Sequence, residues 1–216
     1  GPPGRRRMLV RMNDQTMTRR SRGPRRGAKP VAAATTTTEN HGRRAPARPP
    51  LAEGPFHEMG IDARLCANLP GLGMTEPTPI QREAIPAIVA GRDLLGLAQT
   101  GTGKTAAFGL PMLTRLLAAG RRPDPRTVRA LILAPTRELA TQIAASVDAY
   151  AEGTPIKAFR VVGGASINVQ IDRLARGVDV LIATPGRLID LIERQAVDLS
   201  ATTYLVLDEA DQMLDI

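Results

Sequence analysis

Two short stretches hold residue types whose spacing could do chemistry on phosphates. In AQTGTGKT (98–105), glycines at 101 and 103 precede Lys104 and Thr105. Such a loop lets backbone N–H groups converge on phosphate oxygens. The helix it opens adds partial positive charge, Lys104 reaches the outer phosphates, and Thr105 is placed to ligate magnesium. The general pattern G-x-x-x-x-G-K-[ST] wants Gly where this chain has Ala98. In LVLDEADQMLDI (205–216), an apolar run leads into Asp208, Glu209, Asp211 and Asp215. A buried strand ending in Asp-Glu can hold magnesium through Asp208 and polarise an attacking water through Glu209. The same acids could instead form the first turn of a helix, where carboxylates offset the macrodipole. The glycine loop about a hundred residues earlier favours the first reading.

These residues need elements to hold them. Short apolar runs at 93–99, 129–135, 157–164, 178–185 and 203–209 are mostly continuous rather than alternating, as in strands covered on both faces. Helical patterns at 104–118, 137–151, 166–176 and 186–194 lie between them. The alternation predicts an α/β fold, a parallel sheet with helices on both faces. Ligands in such sheets bind at the carboxyl ends of the strands, where both stretches fall.

Charge divides the chain. Residues 1–50 hold 13 of the 29 Lys and Arg with only Asp14 and Glu39 as acids, a net of +11, whereas 51–216 carries −3. The Arg-rich tail has Gly, Pro and a Thr run without regular periodicity, and is expected to be disordered. A non-specific arm for nucleic-acid phosphates, a solubilising leader or translated upstream sequence, and an organelle transit peptide all remain open for it. No apolar run approaches the roughly 18–20 residues of a membrane span. Cys66 is the sole cysteine, so no intrachain disulfide is possible. The expectation is a cytoplasmic protein.

Together AQTGTGKT and LVLDEAD resemble the DEAD-box ATP-dependent RNA helicases, and four further segments agree in order. PTRELA (135–140), GG (163–164) and TPGRL (184–188) are similar to that family's RNA-facing motifs. PTPIQ (77–81), with Phe56 upstream, resembles its adenine-reading Q motif. The resemblance covers 56–216 and reads most like bacterial members of the RhlE type. It implies a RecA-like P-loop NTPase domain over 51–216, using ATP and magnesium. Nucleotide contacts would come from Phe56, Thr78, Gln81, Gln99, Thr100, Gly101, Thr102, Gly103, Lys104 and Thr105. Thr105 and Asp208 would serve magnesium, while Lys104, Asp208 and Glu209 would be catalytic. Thr136, Arg137, Gly163, Gly164, Thr184 and Arg187 would contact the RNA sugar-phosphate backbone.

Several of these residues have plainer readings. Thr78 and Gln81 also fit a capping box, with Pro79 at the first helical position and Gly91 at the stop. Against that, an amide's paired donor and acceptor suit adenine's edge. Where the family usually has an aromatic after the Q-motif glycine, Met74 follows Gly73. Thr136 and Thr184 could simply assist chain turns beside solvated arginines. Three Phe, two Tyr and no Trp furnish no base-stacking platform, so RNA would be read by backbone and independently of sequence.

The family's next motif, Ser-Ala-Thr, is expected past Ile216, on a strand between those leading to the phosphate loop and the acids. The SAT at 200–202 precedes the acids and is a decoy. The domain is therefore expected to be C-terminally incomplete, with two unpaired strand edges and a second RecA-like domain in cis missing. Alone, 1–216 would bind nucleotide at best. Another P-loop ATPase such as a DNA translocase, or a non-catalytic RNA-binding module, are the competing classes.

Overall fold

The apolar runs become strands of one sheet. In the computed structural model, which describes residues 6–12, 54–98 and 101–214, the strands are β1 (Arg6–Met12), β2 (Leu94–Ala98), β3 (Val128–Leu133), β4 (Ala158–Val161), β5 (Val178–Ala183) and β6 (Tyr204–Asp208). Their order is β2-β1-β6-β3-β5-β4. β3 pairs in parallel with both β5 and β6, and β4 in parallel with β5. Three short or early helices, α1 (Pro55–Glu58), α2 (Ala63–Cys66) and α3 (Pro79–Val89), precede β2. Then α4 (Lys104–Ala118), α5 (Arg137–Tyr150), α6 (Ile167–Leu174) and α7 (Pro185–Glu193) alternate with the strands, and α8 (Ala210–Leu214) follows β6.

The period-2 geometry of strands sorts the core into two layers. Ile132, Val180, Ile182 and Val206 face the cluster that holds Ile85 of α3, Phe108 and Met112 of α4, and Ile143 of α5. Leu131, Leu181 and Ala183 face the opposite cluster, with Leu174 of α6 and Leu188 and Leu191 of α7. Every residue of β5 is buried, which is why its sequence reads as a continuous apolar run. Its one charge, Asp179, is met by Arg129 Nη1 at 2.7 Å and by the Lys157 N–H at 2.8 Å. Arg129 also donates to the carbonyls of Leu116 and Arg121, both at 2.8 Å, tying the end of α4 to the base of the sheet. α4 is buried along most of its length because it lies inside the layer, and each fully buried Leu, Met or Phe there contributes roughly 1.5–3 kcal/mol.

The N-terminal tail is where sequence and structure differ. Residues 6–12, expected to lack structure, form β1, and they run antiparallel in a sheet expected to be parallel. Leu9 sits opposite Leu95 on one side and Leu207 on the other. The two edges expected to lie unpaired are therefore taken. The physical reason is local: Met8-Leu9-Val10 is an apolar, strand-compatible triplet inside the Arg clusters, and β2 and β6 each present a row of backbone donors and acceptors to it. β1 belongs with 51–216 to one compact unit. The rest of the expected disordered tail, 1–5 and 13–50, lies outside the described residues. Among the described residues no helix is long and apolar enough to cross a membrane.

Candidate functional site

β2 and β6 are each antiparallel to β1, so they run in the same direction as β3, β4 and β5. The described candidates that follow these strands thus collect at one end of the sheet. Gln99 and Thr100 lie outside the described residues. Beyond them, Gly103 takes φ 85°, a left-handed conformation that only glycine adopts without strain, and caps α4. Two side chains from the start of α3 hold this turn. Thr78 Oγ1 donates to the Thr102 carbonyl at 2.9 Å, and Gln81 Nε2 donates to the Gly103 carbonyl at 3.1 Å. In a trans peptide the N–H points opposite to the C=O. Drawing these two carbonyls toward α3 therefore aims the N–H groups of Gly103 and Lys104 the other way, at the helix N-terminus where an anion binds.

Gln81 is 2% exposed and also accepts from the Thr78 N–H at 2.9 Å, so the capping role is realised together with the grip on the loop. One amide hydrogen and one carbonyl lone pair remain beyond these bonds. Phe56 is 3% exposed and packs in the first core cluster. Its ring is packed among apolar side chains rather than presented as a stacking face.

Asp208 ends β6 and Glu209 follows it, 3% and 5% exposed. Across from them Lys104 Nζ stands 3.9 Å from Asp208 Oδ1, too far for a hydrogen bond, and it has no hydrogen-bond partner among the described residues. Glu209 adopts φ 54°, an uncommon backbone state for a residue with a Cβ. Asp211 lies in the first turn of α8, so the helix-start reading of the acidic run applies to it. Asp215 lies outside the described residues. The SAT at 200–202 sits in the turn before β6, where Thr202 Oγ1 donates to the Val128 carbonyl at 2.9 Å. This is a structural post and not part of the site.

The residues fit magnesium carried in by phosphates. Asp208 is a buried carboxylate 3.9 Å from a buried ammonium whose donors await an acceptor, and Thr105 supplies a hydroxyl at the second position of α4. Among the described residues no group of three or more His, Cys, Asp or Glu could hold a metal alone. Magnesium bound mainly through phosphates and water needs only one or two protein ligands.

A second region lies along the ends of β3, β4 and β5. Pro135, Thr136, Arg137, Glu138, Gly163, Thr184, Gly186 and Arg187 line an open depression of about 630 Å³. Thr136 caps α5, accepting from the Leu139 N–H at 3.2 Å, and Thr184 is the residue before α7, so two helix N-termini meet here. The Arg137 guanidinium lies directly over the Gly163-Gly164 turn. A Cβ on Gly164, whose φ is 81°, would fall 2.4 Å from its Nη1. Arg187 donates from Nη1 to Ala165 O at 3.1 Å and to Gln170 Oε1 at 3.0 Å. All six RNA-facing candidates are thus brought together, and the arrangement suits an extended run of phosphates.

A family model described as DEAD/DEAH box helicase matches residues 78–216. The chain belongs to the DEAD/DEAH box helicase family. It is 45% identical over 179 residues to the rice protein "DEAD-box ATP-dependent RNA helicase 52A", covering 78% of this chain and 30% of that one. It is 45% identical over 162 residues to "RNA helicase CrhR" of Synechocystis, covering 74% and 32%. With "DEAD-box ATP-dependent RNA helicase CshA" of Streptococcus pneumoniae it shares 44% over 161 residues, covering 74% and 30%. Plant and bacterial relatives are equally similar, so identity alone favours no subgroup. Among solved structures, the RNA helicase Prp28 of Chaetomium thermophilum bound to ADP superposes with TM-score 0.68 at 41% identity, over 79% of this chain and 42% of that one. A DEAD box protein from Methanococcus jannaschii gives 0.63 at 31%, over 74% and 42%. The RecA-like fold read from the motifs is that of these neighbours. This DEAD/DEAH box chain spans about a third of the length of the curated relatives it matches.

Sequence reasoning missed two parts of the site. Gln170, 4% exposed, lies between the glycine turn and Arg187, and an isolated Gln in an amphipathic helix gives no signal. The left-handed backbone at Glu209 was equally silent, because turn-prone residues such as Gly or Asn usually mark it.

Proposed function

We propose that this chain is the ATP- and RNA-binding part of an ATP-dependent RNA helicase. In the longer protein, with a second RecA-like domain in cis, it would couple ATP hydrolysis to local unwinding or remodelling of RNA duplexes. The observation that carries the reading is the Lys104–Asp208 pair, buried at the same sheet end as the Arg137 and Arg187 depression. Lys104 and the α4 N-terminus receive the phosphates. Magnesium, when bound, would spread the charge developing on the phosphate oxygens. Asp208 and Thr105 are the residues to hold it, and Glu209 orients the attacking water. Thr136, Arg137, Gly163, Gly164, Thr184 and Arg187 bind the sugar-phosphate backbone without reading bases. Alone, residues 1–216 would bind nucleotide without efficient turnover. The lone buried thiol of Cys66 accords with a cytoplasmic location.

The test is equilibrium titration of 1–216 with fluorescently labelled ATP, with and without magnesium, together with RNA and DNA stimulation of ATPase in the longer protein. Magnesium-dependent binding and stimulation by RNA over DNA are expected. Equal stimulation by DNA would point instead to a translocase, and absence of nucleotide binding to a vestigial site.

A further inference from the structure

The glycine turn in the RNA-facing depression is held at one end by a buried amide and at the other by the arginine that the amide binds. Gln170, on α6, donates from Nε2 to the Val162 carbonyl at 3.1 Å, just before Gly163. Its Oε1 accepts from Arg187 Nη1 at 3.0 Å, and the same Nη1 donates to the Ala165 carbonyl at 3.1 Å, just after Gly164. The turn is thus bracketed by Val162 and Ala165 from below and covered by Arg137 from above, where Cβ atoms on Gly163 and Gly164 would fall 3.0 and 2.4 Å from its nitrogens.

The burial makes this arrangement costly to disturb. Gln170 is 4% exposed, and the Arg187 side chain is 13% exposed. A buried amide that loses one partner leaves the other group unsatisfied. Both hydrogens of Arg187 Nη1 are committed, which orients the plane of the guanidinium and so the donors that remain on Nη2. The nearest acid to Arg187 is Asp190, whose Oδ2 lies 4.0 Å from Nε, beyond hydrogen-bond reach. Nothing else on α6 does the same work: Ile167, Ile171 and Leu174 pack into the apolar layer.

We propose that Gln170 is a positioning residue for RNA binding. It does not touch RNA, but sets the Gly163-Gly164 turn and the Arg187 guanidinium in the register that a sugar-phosphate backbone requires. The proposal rests on the RNA-binding reading above and adds to it the group that pre-orders the site. Arg187 accordingly has two roles, as a clamp on the turn through Nη1 and as a phosphate donor through Nη2.

The experiment measures affinity of the whole chain for a labelled oligouridine and for labelled ATP, in Gln170→Leu, Gln170→Glu, Arg187→Gln and the Gln170→Leu/Arg187→Gln double variant. Gln170→Leu is expected to weaken RNA binding about tenfold while ATP affinity stays within about twofold. The double variant should lose less than the sum of the two single losses, since Gln170 acts in part through Arg187. Gln170→Glu keeps an acceptor for Arg187 but loses the donor to the Val162 carbonyl, and should recover only part of the loss. If Gln170→Leu does not fold, Gln170→Asn, too short to span both partners, should show the same RNA-selective loss. RNA affinity unchanged in a folded variant, additive losses in the double variant, or parallel losses of RNA and ATP affinity would overturn the proposal. An unaltered chain that binds ATP but no RNA would end the RNA reading itself, and the proposal with it.

Discussion

Lys104 Nζ and Asp208 Oδ1 stand 3.9 Å apart, with their side chains 8% and 4% exposed. They attract without hydrogen bonding, so the ammonium keeps its donors for an incoming anion while the carboxylate offsets its burial. Replacing Lys104 with Ala removes the phosphate donor and leaves a carboxylate buried beside the loop. ATP affinity should fall about a hundredfold, as expected for losing a charge-assisted contact in a dry site. Titration with labelled nucleotide checks it, and an affinity within about threefold of the unaltered chain would take Lys104 out of phosphate binding.

Gly103→Ala should damage the same site by a different route. The new Cβ would fall 2.3 Å from Gln81 Nε2, at a backbone φ of 85°. The Gln81 grip and the loop conformation cannot both survive. A loss of about 1–3 kcal/mol in chemical denaturation is expected, together with weaker nucleotide binding. Gln81→Ala should weaken nucleotide binding with less loss of stability, because it frees the loop without straining it. Equal stability of Gly103→Ala and the unaltered chain would contradict the packing described here.

Gly164→Ala separates the two ligand sites. Its Cβ would fall 2.4 Å from Arg137 Nη1 and sit on a left-handed residue. Arg137 must swing away, so RNA affinity should drop about tenfold while ATP affinity holds. A uniform drop in both would show that the turn supports the fold more than the RNA site.

At Glu209 function and stability should part company. Its φ of 54° costs about 1 kcal/mol in any residue with a Cβ. Glu209→Gly should therefore be more stable than Glu209→Ala by about that amount in urea unfolding. Glu209→Gln should keep nucleotide binding and abolish turnover in the longer protein. Retained turnover in that variant would remove Glu209 from its assigned role.

The pH dependence of stability should carry the mark of Cys66. Burial, reinforced by the Asp62 carboxylate, pushes its thiol from 9.0 up to about 11. The unfolded chain then ionises first, so the thiol's contribution is complete below pH 9 and is lost as pH rises toward 11. Burial also raises Tyr150, which acts in the same direction. Melting temperature should decline over this window, and less steeply in Cys66→Ala. An identical slope in that variant would assign the decline elsewhere.

Much of this architecture was readable from the chain. The helix starts at Lys104 and Arg137 and the strand at Val178 follow from apolar runs ending in turn chemistry, and Thr78 with Pro79 marked the opening of α3. Motif spacing gathered Lys104 with Asp208, and Arg137 with Gly163, because strands of one direction deliver their ends to one edge. Phe56 shows the limit of the pattern, because an aromatic upstream of a nucleotide motif can equally fill a core, and its side chain is buried in one. Gln170 was missed because its importance lies in two partners, Val162 and Arg187, from separate segments, which no local pattern records. β1 failed because pairing between distant strands overrode a composition that points to disorder.

That strand has a bearing on how the protein reaches its native state. In the sheet, β1 lies between β2, leading to the phosphate loop, and β6, leading to the acids. The pairing of Leu9 with Leu207 closes a loop of roughly two hundred residues, the kind of contact that forms late because its entropy must be lost before any bond rewards it. On this ground the alignment of the two halves of the nucleotide site is expected late in folding, and mutations at Leu9 should speed unfolding more than they slow folding.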